Sequence, residues 1–212
     1  MEITWIAHAC FQLKTNSGKI IYFDPYKIPK DAEKADILII SHSHGDHMDD
    51  RSIKNVLKDS TIVIGPESES YSINQYANAK SLKIGEILDL REIKIQLVPA
   101  YTIKKNTHPK SSGWAGSIVE VEGKRIYHAG DTERIPEMGM DDISNIDVAI
   151  LPCGGTYTMD MDEASDAACD IDPKIVIPMH NWGKDLNDFK DMLNSKNPNI
   201  KVEILTGKIL SI

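Results

Sequence analysis

The sequence predicts a mixed α/β fold of two β-sheets packed face to face, with helices outside. Three observations point there. Each half of the chain runs from consecutive short strand patterns to strand–helix alternation. Several strand segments are apolar throughout, which marks burial on both faces. No linker, low-complexity tract or short-period repeat interrupts the 212 residues, 41% of them apolar. They suit one domain, 1–212, or two half-domains sharing a core.

Taken in order, Ile3, Trp5 and Ala7 fall on one face of a first strand. CFQLKT and KIIYFD follow around the turn NSGK, an antiparallel start. ADILII, Ala35 to Ile40, is apolar but for Asp36 and reads as a central strand. DDRSIKNVLK reads as a helix with Ile53, Val56 and Leu57 inward, capped by Asp49 or Asp50. TIVIGP is another short buried strand and ESESYSINQYA a weaker helix. EILDL, EIKIQLVPA, GSIVEVEG and KRIYHAGD return to strands, with VEGK a hairpin turn. VAILPC is apolar. MDEASDAACDI places Ala164, Ala167, Ala168 and Ile171 at helical spacing, with Asp160 and Glu163 resembling a capping box. KIVIPMH is a strand, KDLNDFKDML a helix, and KVEIL and KILSI close on strands. The irregular piece, Tyr101 to Gly116, reads as a surface loop.

The chain carries 24 Lys+Arg against 32 Asp+Glu, a net charge of −8. An acidic chain is poorly suited to nucleic acid, whose phosphates demand basic side chains. It has no basic cluster for an anionic membrane surface and no apolar run long enough to span one. Cys10, Cys153 and Cys169 form no disulfide framework or CxxC site, and Cys153 reads as a buried inert thiol. With no signal peptide visible at the N-terminus, the expected location is cytoplasmic.

Ser41 to Asp50, SHSHGDHMDD, follows the central strand at once and holds three of the seven histidines. A strand alternates its side chains, so His42 and His44 point to one side. Gly45 permits a tight bend. Asp46 and His47 then arrive at a helix start, where they can turn back to the same centre. Neutral imidazole and carboxylate suit zinc, iron or manganese. A solvated polar loop is the blander reading, and the strand–turn–helix context disfavours it. Asp131 in YHAGDT and His180 in IPMH each end an apolar strand, where loops gather. Taken alone, a turn carboxylate and a core histidine remain open for them.

HSHGDH matches the HxHxDH signature of the metallo-β-lactamase superfamily. WIAHA, FDP at Phe23 to Pro25, YHAGDT at Tyr127 to Thr132, LPCGGTYTM at Leu151 to Met159 and IPMH at Ile177 to His180 occur in order along nearly the whole chain. On these motifs the chain resembles that superfamily. Within it, the chain resembles the branch of ascorbate-6-phosphate lactonases, phospholipases D of the N-acyl-phosphatidylethanolamine type and metal-dependent hydrolases. The resemblance implies a four-layer αββα sandwich with the site at one edge. It implies that His42 and His44 bind a first metal and Asp46 and His47 a second. Asp131 would bridge both, and His180 would complete the second site. One or two divalent cations per chain are expected, zinc first, with manganese or iron as alternatives.

One position departs from the pattern. The superfamily's third ligand of the first metal is a histidine ending the strand that here reads IQLVPA, and the residue there is Tyr101. A tyrosine can ligate as a phenolate, donate to an oxyanion or fill space. His108, seven residues on, is a substitute ligand, a substrate contact or a surface histidine. His8 and Asp24 read as groups that orient a ligand or contact substrate, or as structural hydrogen-bonding residues. His128 reads as a group behind the ligands or a core residue.

The expected chemistry is hydrolysis of an ester, lactone or phosphodiester by a metal-activated water. Asp46 would accept the proton, while Tyr101, His108 or the backbone amides of Gly154 and Gly155 would stabilise negative charge. The partner is a small-molecule substrate, phosphorylated compounds included, and a homo-oligomer is allowed. The alternative is a non-catalytic or single-metal regulatory protein with a degenerate first site. Di-iron oxygen or nitric oxide reduction fits poorly, because that branch places a Glu where His44 stands. A tRNA-maturation nuclease fits poorly with the acidic charge.

Overall fold

The computed structural model describes all residues, Met1–Ile212. The chain divides into two compact units, Met1–Lys83 with Leu205–Ile212, and Ile84–Ile204. Each unit carries one seven-stranded sheet.

In the first unit, β1 (Glu2–Ala7), β2 (Cys10–Lys14) and β3 (Ile20–Phe23) form the antiparallel start that their alternation predicts. β4 (Ile37–Ile39), β5 (Ile62–Pro66) and β6 (Ala79–Leu82) then add in parallel. The strand Ile209–Ser211 closes the opposite edge, antiparallel to β1. β4 is buried at every position, which is why the run from Ile37 to Ile40 has no polar face.

Parallel strands need a crossover, and α1 (Asp50–Val56) supplies the one from β4 to β5. It buries Ile53 and Val56 against a core of Ile20, Tyr22, Leu38, Ile40 and Val63. Asp49 caps it, accepting from Ser52 N at 3.0 Å and Ser52 Oγ at 2.6 Å. Burial works against the Asp49 carboxylate, but the Ser52 hydroxyl and the Ser52 and Arg51 amides outweigh it and hold it below its ordinary value of 3.8. The cap therefore stabilises fully above that ordinary value and fades as pH falls through the lower folded one. Asp49→Ala is expected to cost about 1 kcal/mol, lowering Tm by roughly 2–4 °C at pH 7. A thermal melt unchanged at pH 7 would show that the cap is idle.

The weaker helix shrinks to a 3-10 turn, Glu67–Glu69, and one α-turn, α2 (Ser70–Ile73). Only Ile73 of α2 is buried, so no apolar stripe extends it. β6 carries little apolar signal in AKSL, and its pairing to β5 creates the strand.

The second unit repeats the plan. β7 (Ile87–Asp89), β8 (Ile93–Pro99), β9 (Ala115–Val121) and β10 (Lys124–His128) are antiparallel. β11 (Val148–Pro152), β12 (Ile175–Met179) and β13 (Lys201–Val202) continue in parallel. The VEGK turn places Glu122 and Gly123 at φ 52° and 73°, as a two-residue hairpin with both central residues left-handed requires. α3 (Met161–Ile171) connects β11 to β12, and α4 (Leu186–Lys196) connects β12 to β13. Ala164, Ala167, Ala168 and Ile171 face inward as their spacing predicts, and α3 packs against α4 and β11. Asp160 accepts from Glu163 N at 2.9 Å, half of the capping box. The Glu163 carboxylate accepts instead from Arg134 N. No helix is long and apolar enough to cross a membrane.

Candidate metal centre

Parallel strands send their carboxyl ends, and the loops that follow, to one edge of a sheet. β3 and β4 are such neighbours, and Asp24 follows the first while Ser41 and His42 follow the second. Asp24 is buried, with a left-handed φ of 44°. Its Oδ1 accepts from Ser41 N at 2.8 Å, and its Oδ2 from Ser41 Oγ at 2.8 Å. The same Oδ2 lies 2.8 Å from His47 Nδ1. With Nδ1–H donated to that carboxylate, the Nε2 lone pair of His47 is the one left to bind a cation. Ser41 Oγ also lies 2.9 Å from His42 Nδ1, so His42 too presents Nε2.

His42 Nε2 and His44 Nδ1 stand 3.0 Å apart, while the His42 and His47 rings stand 4.1 Å apart. The backbone bends after His44, whose carbonyl accepts from both His47 N and Met48 N at 2.9 Å. That bend carries Asp46 and His47 back toward the strand end. Asp46 Oδ2 lies 3.2 Å from His8 Nε2. The hydrogen bond with His8 pulls the Asp46 carboxyl down to about 2, against the opposing effect of burial. Such a carboxylate is ionised throughout the neutral range. It suits cation binding better than proton abstraction.

The second unit gathers its own set. β10, β11 and β12 are consecutive parallel neighbours. Asp131 follows β10, the Cys153–Gly155 turn follows β11 and His180 follows β12. Asp131 Oδ2 lies 3.1 Å from His180 Nε2 and 3.2 Å from His108 Nε2. All three residues are buried. His108 arrives through a loop closed on itself. Thr102 N donates to His108 O at 2.7 Å, and His108 N donates to Thr102 Oγ1 at 3.2 Å. Buried Glu133 clamps that loop, accepting from Ile103 N and Lys104 N at 2.6 Å and from Lys105 Nζ at 2.9 Å. Neither Glu133 nor Ser41 is marked in the sequence. Each is an ordinary polar neighbour of a motif until the fold aims it.

The geometry sorts the expectations. His108 is not a surface histidine: it is 3% exposed and sits on Asp131. The Tyr101 hydroxyl is committed elsewhere, donating to Glu137 Oε2 at 2.9 Å and accepting from Lys110 Nζ at 3.2 Å. The structure thus brings His108 to Asp131, and not the Tyr101 hydroxyl. The Gly155 amide donates to Met159 O at 2.9 Å, which removes it as an oxyanion donor. His128 is buried, its Nδ1 accepting from Gly130 N at 3.3 Å. Cys153 is buried and its thiol is pushed up to about 12 by burial, the inert state expected of it. All three cysteines are free.

Both sets suit a divalent cation. Nitrogen and oxygen ligands at ~2.0–2.2 Å from such an ion stand roughly 3.0–3.5 Å from one another. The spacings 3.0, 3.1 and 3.2 Å fall in that range. The donors are imidazole and carboxylate, with no thiolate near. Asp24→Asn is expected to weaken metal binding by roughly 10–100-fold, because the amide no longer fixes the His47 tautomer. Competition with a chromogenic chelator reads this directly, and an unchanged affinity would remove Asp24 from the role.

Residues 2–180 match the family model described as the beta-lactamase superfamily domain. The chain is 35% identical over 203 residues to a UPF0173 metal-dependent hydrolase of Methanoregula boonei, covering 90% of this chain and 88% of that protein. A solved structure from Parabacteroides distasonis, designated a metal-dependent hydrolase, superposes with a TM-score of 0.86 at 36% identity, over 95% of this chain and 91% of that one. A metallo hydrolase from Ignicoccus hospitalis superposes at 0.82 with 26% identity, over 100% and 98% of the two chains.

Proposed function

The chain belongs to the metallo-β-lactamase superfamily and shares its α/β fold, and from that membership we propose a metal-dependent hydrolase of an ester, lactone or phosphodiester carried by a small molecule. Curated relatives named metal-dependent hydrolases support the reaction type. The observation that carries the reading is the convergence of two imidazole nitrogens on the single oxygen Asp131 Oδ2. We take 1–212 as one domain. Its metal ligands are His42, His44, Asp46, His47, Asp131 and His180, with His108 in the place that Tyr101 fails to fill.

A bound divalent cation supplies a water whose pKa falls toward ~7 and a positive charge to polarise the substrate oxygen. The chain's own residues do the rest. His42 offers Nε2 and His44 offers Nδ1, set at 3.0 Å by the strand end. Asp24 holds His47 in one tautomer. Asp131 contributes the negative charge that lets neutral histidines retain a dication. Asp46 is ionised and serves as an oxygen ligand. His8 Nε2, 3.2 Å away, donates to Asp46 Oδ2 and holds that carboxylate ionised and in place. Tyr101 is given no chemical part, since Glu137 and Lys110 occupy its hydroxyl.

Elemental analysis of protein purified without chelators tests the reading, together with turnover of an ester, lactone and phosphodiester panel. Two metals per chain, falling to one or none in His108→Ala, are expected. Turnover should stop on chelation and return with zinc, manganese or iron. Metal-loaded protein that leaves the whole panel untouched would sink the hydrolase reading in favour of a metal-binding regulator.

A further inference from the structure

Beyond the ligands, the second unit exposes two aromatic rings and one ammonium beside His180. The turn after β12, Asn181–Lys184, is tightly built. Lys184 N donates to Asn181 O at 3.0 Å, and Asn181 Nδ2 donates back to Lys184 O at 2.6 Å. Trp182 and Gly183 are both left-handed, at φ 50° and 77°. A tryptophan in that conformation is unusual, since L-residues with bulky side chains avoid it. The conformation sets its ring edge-to-face on His180, with centroids 5.7 Å apart, and on Tyr157 at 5.8 Å.

Neither ring is spent on the core: Trp182 is 53% exposed and Tyr157 42% exposed. The facing Cys153–Gly155 turn is shaped around them. A Cβ on Gly154 would stand 2.5 Å from Trp182 Cδ1, and one on Gly155 would stand 3.0 Å from Lys184 Nζ. Thr107 Oγ1 donates to Tyr157 O at 3.1 Å, tying the aromatic pair to the loop that delivers His108. Two rings and a cation thus flank a ligand set, with a strained turn and two glycines maintaining them.

We propose that Trp182, Tyr157 and Lys184 form the substrate-recognition wall of this site, selecting an anionic compound that carries a flat apolar ring. The ring lies against Trp182 and Tyr157, and the anionic group meets Lys184 Nζ. Large amphipathic rings give contact area at small entropic cost. This rests on the hydrolase reading, and it narrows the substrate class within it.

Binding, separate from turnover, tests it. The probes are phenylphosphonate and methylphosphonate, titrated by calorimetry into the metal-containing protein as purified. The phenyl compound should bind wild type on the order of tenfold tighter than the methyl compound. Trp182→Ala should abolish that preference, and Trp182→Phe should keep most of it. Lys184→Gln should weaken both probes alike, by roughly fivefold. Metal content measured on each variant separates lost recognition from a lost ligand set. The proposal is overturned if wild type shows no phenyl preference, if it binds neither probe, or if Trp182→Ala with its metal intact keeps the preference. Failure of the hydrolase reading looks different: the panel stays untouched whatever the probe preference.

Discussion

Asp131→Ala is expected to release the metal and reduce kcat/KM on a hydrolysed panel substrate by at least about 10³-fold, or ~4 kcal/mol of transition-state stabilisation. The size follows from its position. Asp131 Oδ2 meets His108 and His180 at 3.2 and 3.1 Å, and all three side chains are buried. Removing the carboxylate takes away the only formal negative charge of that trio, and neutral imidazoles alone hold a dication in a buried place weakly. Asp131→Asn separates shape from charge. It retains the volume and one oxygen, so a loss as deep as that of the alanine variant assigns the effect to charge. Elemental analysis and steady-state kinetics are read together. A variant that keeps its metal and stays within tenfold of wild type would show that Asp131 is not a ligand.

Gly154→Ala is expected to destabilise by about 3 kcal/mol, at the upper end of overpacking costs, and to lower Tm by roughly 6–12 °C. A Cβ there would collide with the carbonyl oxygen of His180 and stand 2.5 Å from Trp182 Cδ1. The carbonyl is backbone and cannot rotate away. β11 and β12 are parallel neighbours locked in register up to Pro152 and Met179, and Cys153 N still donates to Met179 O at 3.0 Å. The strain therefore falls on His180, and metal affinity should drop with stability. Gly113→Ala is a poor control, being left-handed at φ 65°. Gly139→Ala is a better one, since it lies outside the ligand loops and a Cβ there meets only Asp170 Cβ at 4.0 Å. Equal melting temperatures for wild type and Gly154→Ala would mean that the two turns move apart freely.

Much of this was legible beforehand, for identifiable reasons. ILII, Ile37 to Ile40, and VAILPC announce strands buried on both faces because nothing polar interrupts them, and both lie within parallel sheet. VEGK announces its hairpin because glycine takes the second left-handed position readily. His42, His44, Asp46 and His47 were legible because local spacing alone clusters them. β6 was not, since AKSL owes its strand state to a partner. His108 was also ambiguous, because its role depends on closure of the Thr102–His108 loop and on Glu133. Tyr101 misled for the converse reason. It stands where a ligand is expected, while Glu137, distant in sequence, claims its hydroxyl.

His8, Asp24 and His180 all adopt left-handed backbone, at φ 54°, 44° and 52°. Each such residue gives up roughly 1–2 kcal/mol that glycine would largely retain. Selection for thermal robustness alone would favour glycine or asparagine at His8 and His180. A copy of this gene relieved of its catalytic duty should therefore drift at those codons early. Directed evolution for heat resistance without an activity screen would meet the same temptation, producing hardier proteins that have lost their chemistry.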